Sequence, residues 1–180
     1  MSFPVFASGD VLNASDMNSV GLWLVKTQAV GATPVPSVTV TGAFSADYDN
    51  YLIQISGGVA SGNIDLRFNF DGNTASYYSA FVGMSYGGGS PFGLGRSNLA
   101  YFDFAGGGST SNIFASFQIL SPFLAKQSGF VSSYVVSNAA GSTVLGSGYH
   151  DSATSFTGFR IQTSSGTLTG GTIRVYGMKN

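Results

Sequence analysis

From residue 37 to residue 178, apolar residues recur at every second position in one short run after another. That period constrains the fold more than any other feature. The clearest run is "IDLRFNF": Ile64, Leu66, Phe68 and Phe70 share one parity, and Asp65, Arg67 and Asn69 share the other. Successive side chains of a β-strand point to opposite faces, so this pattern offers one face to a core and one to water. "SVTVTGAF" does the same with Val38 and Val40, and "YLIQIS" with Tyr51, Ile53 and Ile55. Further strands are expected in "TASYYSAFVGM", "LAYFDFA", "NIFASFQIL", "GFVSSYVVS", "FTGFRIQTS" and "GTIRVYGM". Short strands at short spacing, each with one apolar face, predict an all-β chain, an antiparallel β-sandwich of jelly-roll type over residues 31–180. "DGN" after Phe70 tolerates positive φ and predicts a hairpin into the next strand. No fixed repeat period is visible, which argues against a propeller or solenoid.

The composition agrees. Fifteen Phe and nine Tyr, with many Val, Ile and Thr, supply strand formers, and 26 Gly punctuate the apolar runs. Only 8% of residues are charged, against about 25% in an average soluble protein. Glutamate is absent, so all eight acids are Asp, and the net charge is −1. Such a chain lacks the clustered Lys and Arg that nucleic acid requires. Cysteine is absent too, which excludes disulfides and thiolate metal sites. No secretory signal is expected, since Asp10 interrupts the short apolar start. No window reaches the roughly 20 apolar residues of a membrane-spanning helix, so no membrane insertion is expected. So little surface charge fits a protein packed in an assembly or facing the outside.

One stretch breaks the pattern: "FASGDVLNASDMNSVGLWLVK", residues 6–26, with the lone tryptophan. Asn13 reads as an N-cap, with Asp16 three residues on. Met17, Val20 and Leu24 then fall at i, i+3 and i+7, which predicts a short helix with one apolar stripe, weakened by Gly21. Such a helix is too short to stand alone in water and needs something to lie on. Pro34 and Pro36 end it, and residues 1–30 read as an appendage to the body.

Reactive constellations are scarce. His150, the lone histidine, sits in "GYHDS" beside Asp151 and Ser152. Adjacent strand residues point to opposite faces and cannot form a Ser–His–Asp relay, so a loop histidine satisfied by solvent is the expectation. Asp47 and Asp49 in "SADYDN" lack the spaced ligands of an EF-hand and read as a turn. Asp65 and Arg67, two apart, read as an exposed ion pair. "GMSYGGGSPFGLGRSN" and "AGGGSTSN" read as long loops without phosphate-binding signatures, fitting flexible filler or a functional surface. Neither a catalytic residue, a cofactor site nor a metal site is expected. A glycan depolymerase working through Asp47, Asp49, Asp103 or Asp151 is the enzymatic alternative, against which stand the short chain and the missing Glu. Aromatic rings in polar loops can stack on sugars or proteins. Tyr77, Tyr78, Tyr86, Phe92 and Tyr149 fit that role or the ends of core strands. Tyr86, Phe92, Arg96, Tyr149 and His150 are the candidate surface-binding residues.

"FASGDVLNASDMN" resembles a pattern, F-x-x-G-x-V-L-x-A-x-D-M-N, found near the start of many tailed-phage virion proteins: tail-fibre-like, minor tail and head-fibre proteins. Phe6, Gly9, Val11, Leu12, Ala14, Asp16, Met17 and Asn18 carry it. "YDNYLIQISG" (48–57) and "GTLTGGTIRVYGMKN" (166–180) are similar to phage structural proteins with small β-sandwich domains. The resemblance implies a non-enzymatic virion protein, commonly a homotrimer, with an N-terminal segment docked to other virion proteins of tail or capsid. The β-body would stand outside on the particle surface, open to a host-surface glycan or protein. Under that reading Phe6, Val11, Leu12, Met17, Val20, Trp23 and Leu24 are the anchoring residues. The leading expectation is a tail-associated protein, the runner-up a capsid decoration or head-fibre protein.

Overall fold

The computed structural model describes residue 9, residues 21–135 and residues 141–178. Among these residues there is no helix, and fourteen strands follow one another. They are β1 (Leu22–Ala29), β2 (Ser37–Val40), β3 (Asn50–Ser56), β4 (Val59–Ala60), β5 (Ile64–Phe70), β6 (Tyr77–Ser85) and β7 (Phe92–Leu99). Then come β8 (Phe102–Gly108), β9 (Ile113–Leu120), β10 (Ser128–Val135), β11 (Ser142–His150), β12 (Phe159–Thr163), β13 (Leu168–Thr169) and β14 (Thr172–Met178). Every described pairing is antiparallel.

Twelve strands form one network that turns a corner at β9. Eight lie in the order β1-β14-β3-β9-β10-β11-β6-β7, and four in the order β2-β12-β5-β8. The halves join through only two residue pairs, Gly107 with Phe114 and Gly108 with Ile113. They then face each other across one aromatic core, an arrangement consistent with an antiparallel β-sandwich. Phe68 of β5 meets Phe117 of β9 at 5.6 Å, and Phe102 of β8 stacks on Phe130 of β10 at 4.5 Å. The alternation read in the sequence supplies that core. Val38, Val40, Tyr51, Ile53, Ile55, Ile64, Leu66, Phe68 and Phe70 are all buried. Each such side chain contributes roughly 1.5–3 kcal/mol on leaving water.

Four expectations are corrected. The helix cannot run through Trp23 and Leu24, because both lie in β1, where Trp23 faces Gly177 and Leu24 faces Tyr176 across the ladder to β14. Gly21, at φ 106°, holds a backbone conformation that no right-handed helix contains. The rest of the expected helix lies outside the described residues. β1 also ties residues 22–29 of the expected appendage to the body's own sheet. Next, "DGN" makes a turn, closed by the Asn73 N–H donating to the Phe70 carbonyl at 3.0 Å, but no hairpin. Both edges of β5 are already taken, by β12 and β8, so the chain crosses to the other half, where β6 pairs with β11 and β7.

The two glycine-rich stretches contain strands rather than loops throughout: Phe92–Leu99 is β7, and "AGGG" completes β8. The glycines of β8 mark close approach. A Cβ on Gly107 would come within 3.0 Å of the Tyr134 ring, and one on Gly106 within 2.8 Å of the Phe114 carbonyl oxygen. Finally β11, the pairing partner of both β10 and β6, was not among the expected strands.

Candidate functional site

Phe6, Val11, Leu12, Met17 and Val20 lie outside the described residues. Of the remaining anchoring candidates, Leu24 points outward and is 55% exposed. Trp23 points inward, with its indole nitrogen buried and unpaired among the described residues.

The surface-binding candidates are not brought together in a loop. Tyr86 follows β6 in an exposed turn, its N–H donating to the Gly141 carbonyl at 2.9 Å. Phe92 opens β7 and lays its ring over Gly83 on the facing strand, packed against the core. Tyr149 points outward from β11 and stacks on Tyr78 of β6, with ring centroids 5.1 Å apart and planes 12° apart. Tyr77, one residue from Tyr78, takes the opposite parity and is fully buried.

His150 corrects the solvent-exposed reading. It ends β11 with its ring on the core side, 0% exposed, among Phe70, Tyr77 and Phe156 at centroid distances of 5.3, 4.5 and 5.3 Å. Nε2 lies 3.1 Å from the Ala75 carbonyl, which can only accept, so the neutral ring carries its proton there. Nδ1 is buried without a partner among the described residues. Burial pushes the imidazole below its ordinary pKa, against smaller opposing effects of the Ala75 bond and Asp151.

Arg96 is engaged as well. Its Nε donates to Asp103 Oδ2 at 2.8 Å, while Arg67 Nε donates to Oδ1 at 3.0 Å and its guanidinium lies 4.3 Å over the Tyr101 ring. The expected pair of Asp65 with Arg67 is therefore replaced. Asp65 instead accepts from the Tyr134 hydroxyl at 2.8 Å. Burial pushes the Asp65 carboxyl above its ordinary pKa, partly offset by that hydrogen bond. A bulge in β8 produces this arrangement: between the pairs Leu66–Gly106 and Phe68–Phe102 the ladder slips, and Phe104 sits at φ 57°. Bulges re-aim side chains, here carrying Asp103 to both arginines. Asp47 caps a local turn, with Ser45 Oγ donating to Oδ2 at 3.0 Å. Among the described residues no group of three His, Asp, Glu or Cys side chains could hold a metal ion.

What the tertiary structure does assemble is a face. On the outward side of the eight-stranded sheet stand Leu22 and Leu24 of β1, Phe114 of β9, Val131 and Val135 of β10, Leu145 and Tyr149 of β11, and Val82 and Met84 of β6. Each of them is between 43% and 62% exposed. Cross-strand register sets them in rows: Val82 opposes Leu145, and Val131 lies between Gln118 and Ser147. A groove lined by Leu52, Val82, Gln118, Val131, Leu145 and Ser147 crosses the middle. Charge is sparse here: Arg174 takes the outward parity of β14, its Nη1 donating to Ser56 Oγ at 2.7 Å, and Arg96 lines a second groove beside Tyr78, Ala80, Val131, Ser147 and Tyr149. Sequence reasoning missed the face because it asked only for one apolar parity per strand. The signal was present in "GFVSSYVV", where Val131 and Val135 occupy the parity that an exposed face normally gives to polar residues.

Compared with protein-family models, with curated proteins and with solved structures, the chain gives no match.

Proposed function

We propose that this chain is a non-enzymatic structural protein of a tailed-phage particle, tail-associated, docking through its N-terminal segment and presenting its β-body to neighbouring subunits or the host surface. The observation that carries the structural role is the broad outward face, rich in exposed apolar side chains and nearly free of charge. Contiguous apolar surface of that kind marks sites of protein contact rather than a face left to water. The particle is supported by the sequence resemblance at residues 6–18, 48–57 and 166–180. Leu22 and Leu24, within the N-terminal segment of residues 1–30, are exposed on the same outward face. Tyr149, stacked on Tyr78, adds aromatic surface suited to a host glycan or protein.

The fold we infer is a jelly roll with two inserted hairpins. Taking β1, β2, β3, β5, β8, β9, β12 and β14 as eight strands in chain order, one half pairs first-eighth-third-sixth and the other second-seventh-fourth-fifth. That is the interleaving of two Greek keys. The hairpins β6–β7 and β10–β11 then widen the first half from four strands to eight.

Immunogold labelling of purified particles with antibody raised against the chain tests the reading. Gold at the tail is the expected result. Gold on the capsid moves the protein to a decoration or head-fibre role, and particles that lack the chain overturn the reading. Deleting residues 2–20, which stops short of β1, is expected to abolish incorporation.

A further inference from the structure

We propose that Arg67 and Arg96, held on either side of Asp103, form a site for the carboxylate of an acidic sugar. The inference goes beyond the structural role above and does not depend on it, because it rests on residues of β5, β7 and β8 that meet at one point. Asp103 takes one Nε from each arginine, Arg67 on Oδ1 at 3.0 Å and Arg96 on Oδ2 at 2.8 Å. An arginine paired with a carboxylate commonly meets it through two parallel bonds. Here each gives a single bond, and the Nη donors of both have no protein acceptor among the described residues. The two side chains are 27% and 32% exposed, so the pair is reachable by a ligand yet largely withdrawn from water.

The arrangement is fixed in advance. The Arg67 guanidinium lies 4.3 Å over the Tyr101 ring, which steadies its plane. Asp103 is carried to both arginines by the β8 bulge, where Phe104 keeps a left-handed backbone (φ 57°) that bulky residues seldom adopt. Strain of this kind collects at binding positions, where the surrounding structure holds it. A ligand carboxylate therefore meets two forked guanidinium groups already anchored, and little side-chain freedom is lost on binding. Asp65, the other carboxylate beside Arg67, is engaged by the Tyr134 hydroxyl at 2.8 Å. The neighbours select the rest of the ligand. Gln162 stands opposite Arg67 on β12, and Ser37 opposite Gln162 on β2, both on the same face and partly exposed. An amide and a hydroxyl each donate and accept, which suits the hydroxyls of a sugar ring. A bare inorganic anion has no use for them. An acidic protein segment brings apolar side chains for which this row has no counterpart.

Saturation-transfer difference spectra of the full chain with sodium glucuronate and, separately, sodium N-acetylneuraminate, at neutral pH and constant ionic strength, read the outcome. Transfer to at least one acidic sugar and none to methyl glucoside is expected, with a Kd on the order of 1 mM. Arg67→Gln and, separately, Arg96→Gln are expected to weaken that binding at least about tenfold, as the loss of charge-assisted hydrogen bonds does. Arg174→Gln, on β14 and outside the site, leaves it unchanged. Far-ultraviolet circular dichroism checks that each variant is folded. The second arginine variant decides if the first is not, and the wild-type arms decide if neither is. No transfer to either acidic sugar, equal transfer to methyl glucoside, or binding indifferent to both arginine variants overturns the inference. Sodium sulfate that displaces the sugar at equal concentration would mark a site for a bare anion only. N-acetylglutamate that does so would mark a site for an acidic protein segment, and either result overturns the sugar assignment. Particles that lack the chain would overturn the particle reading and leave this inference standing.

Discussion

Replacing Gly146 by alanine probes how β11 enters the sheet. Gly146 faces Phe81 of β6 across the ladder, and the ring lies directly over it. An added Cβ would overlap the Cδ1–Cε1 edge of that ring and stand 2.9 Å from Cγ. Restoring ordinary carbon contact near 3.5–4.0 Å requires the ring to retreat on the order of 1–2 Å. Phe81 is 2% exposed and already packed edge-on against Phe104 at 4.9 Å, so it has nowhere to go. Overpacking of this kind costs about 1–3 kcal/mol, while alanine's smaller unfolded-state entropy returns about 0.4–1 kcal/mol. The net expectation is a loss of about 1–2 kcal/mol, or a Tm lower by about 2–8 °C for a chain of this length. Thermal unfolding should be followed for the wild type, G146A, F81L and the double variant. Leucine removes the overlapping ring edge, so the double variant should be more stable than the sum of the singles by at least about 1 kcal/mol. If G146A melts at or above the wild type, or the two changes simply add, the ring-over-glycine account of β11 is wrong.

Two further outcomes are expected. Burial holds the folded-state pKa of His150 below the unfolded value of about 6.5, so the unfolded chain takes up its proton first as the solution is acidified. Stability from this group is full above about pH 6.5 and falls as pH drops toward the folded pKa, by at most about 1.4 kcal/mol per pH unit. His150→Gln, whose amide can still donate to Ala75, should flatten urea-denaturation midpoints measured across that range, and an unchanged slope would place the titration elsewhere. Asp103→Ala should cost about 2–3 kcal/mol. That is less than the full loss for a buried pair, because the side chains of Arg67 and Arg96 are 27% and 32% exposed. A change in urea midpoint worth under about 0.5 kcal/mol would show that water already shares the node.

Legibility varied along the chain for identifiable reasons. β3, β5, β9 and β14 could be read directly, because Ile, Val, Phe and Tyr alternate there with polar residues and one parity is buried. β7, the end of β8 and β11 were obscured by glycine, which signals turns in a sequence. In this fold glycines 83, 106, 107 and 146 leave room for the Phe92 ring, the Phe114 carbonyl, the Tyr134 ring and the Phe81 ring. β1 was obscured by its length: over Leu22, Trp23 and Leu24 a helical stripe and a strand both fit, and only the ladder to β14 decides between them. His150 and Tyr149 differ by one position, and the strand's two-residue period sent one into the core and left the other on the surface.

By itself, then, the sequence determined the secondary-structure class, the core parity of most strands, and a surface with few charges. All three follow from local alternation and composition, which act over a few residues at a time. The tertiary structure alone decided which strands are neighbours, that "DGN" leads across the core rather than back along β5, and that Asp103 rather than Asp65 holds Arg67. It alone also aligned apolar residues from separate strands into one sparsely charged face. Those outcomes depend on pairings between residues up to about 150 positions apart, such as Leu22 with Met178. Pairing at that distance is selected by the packing of the whole core, and no local period encodes it.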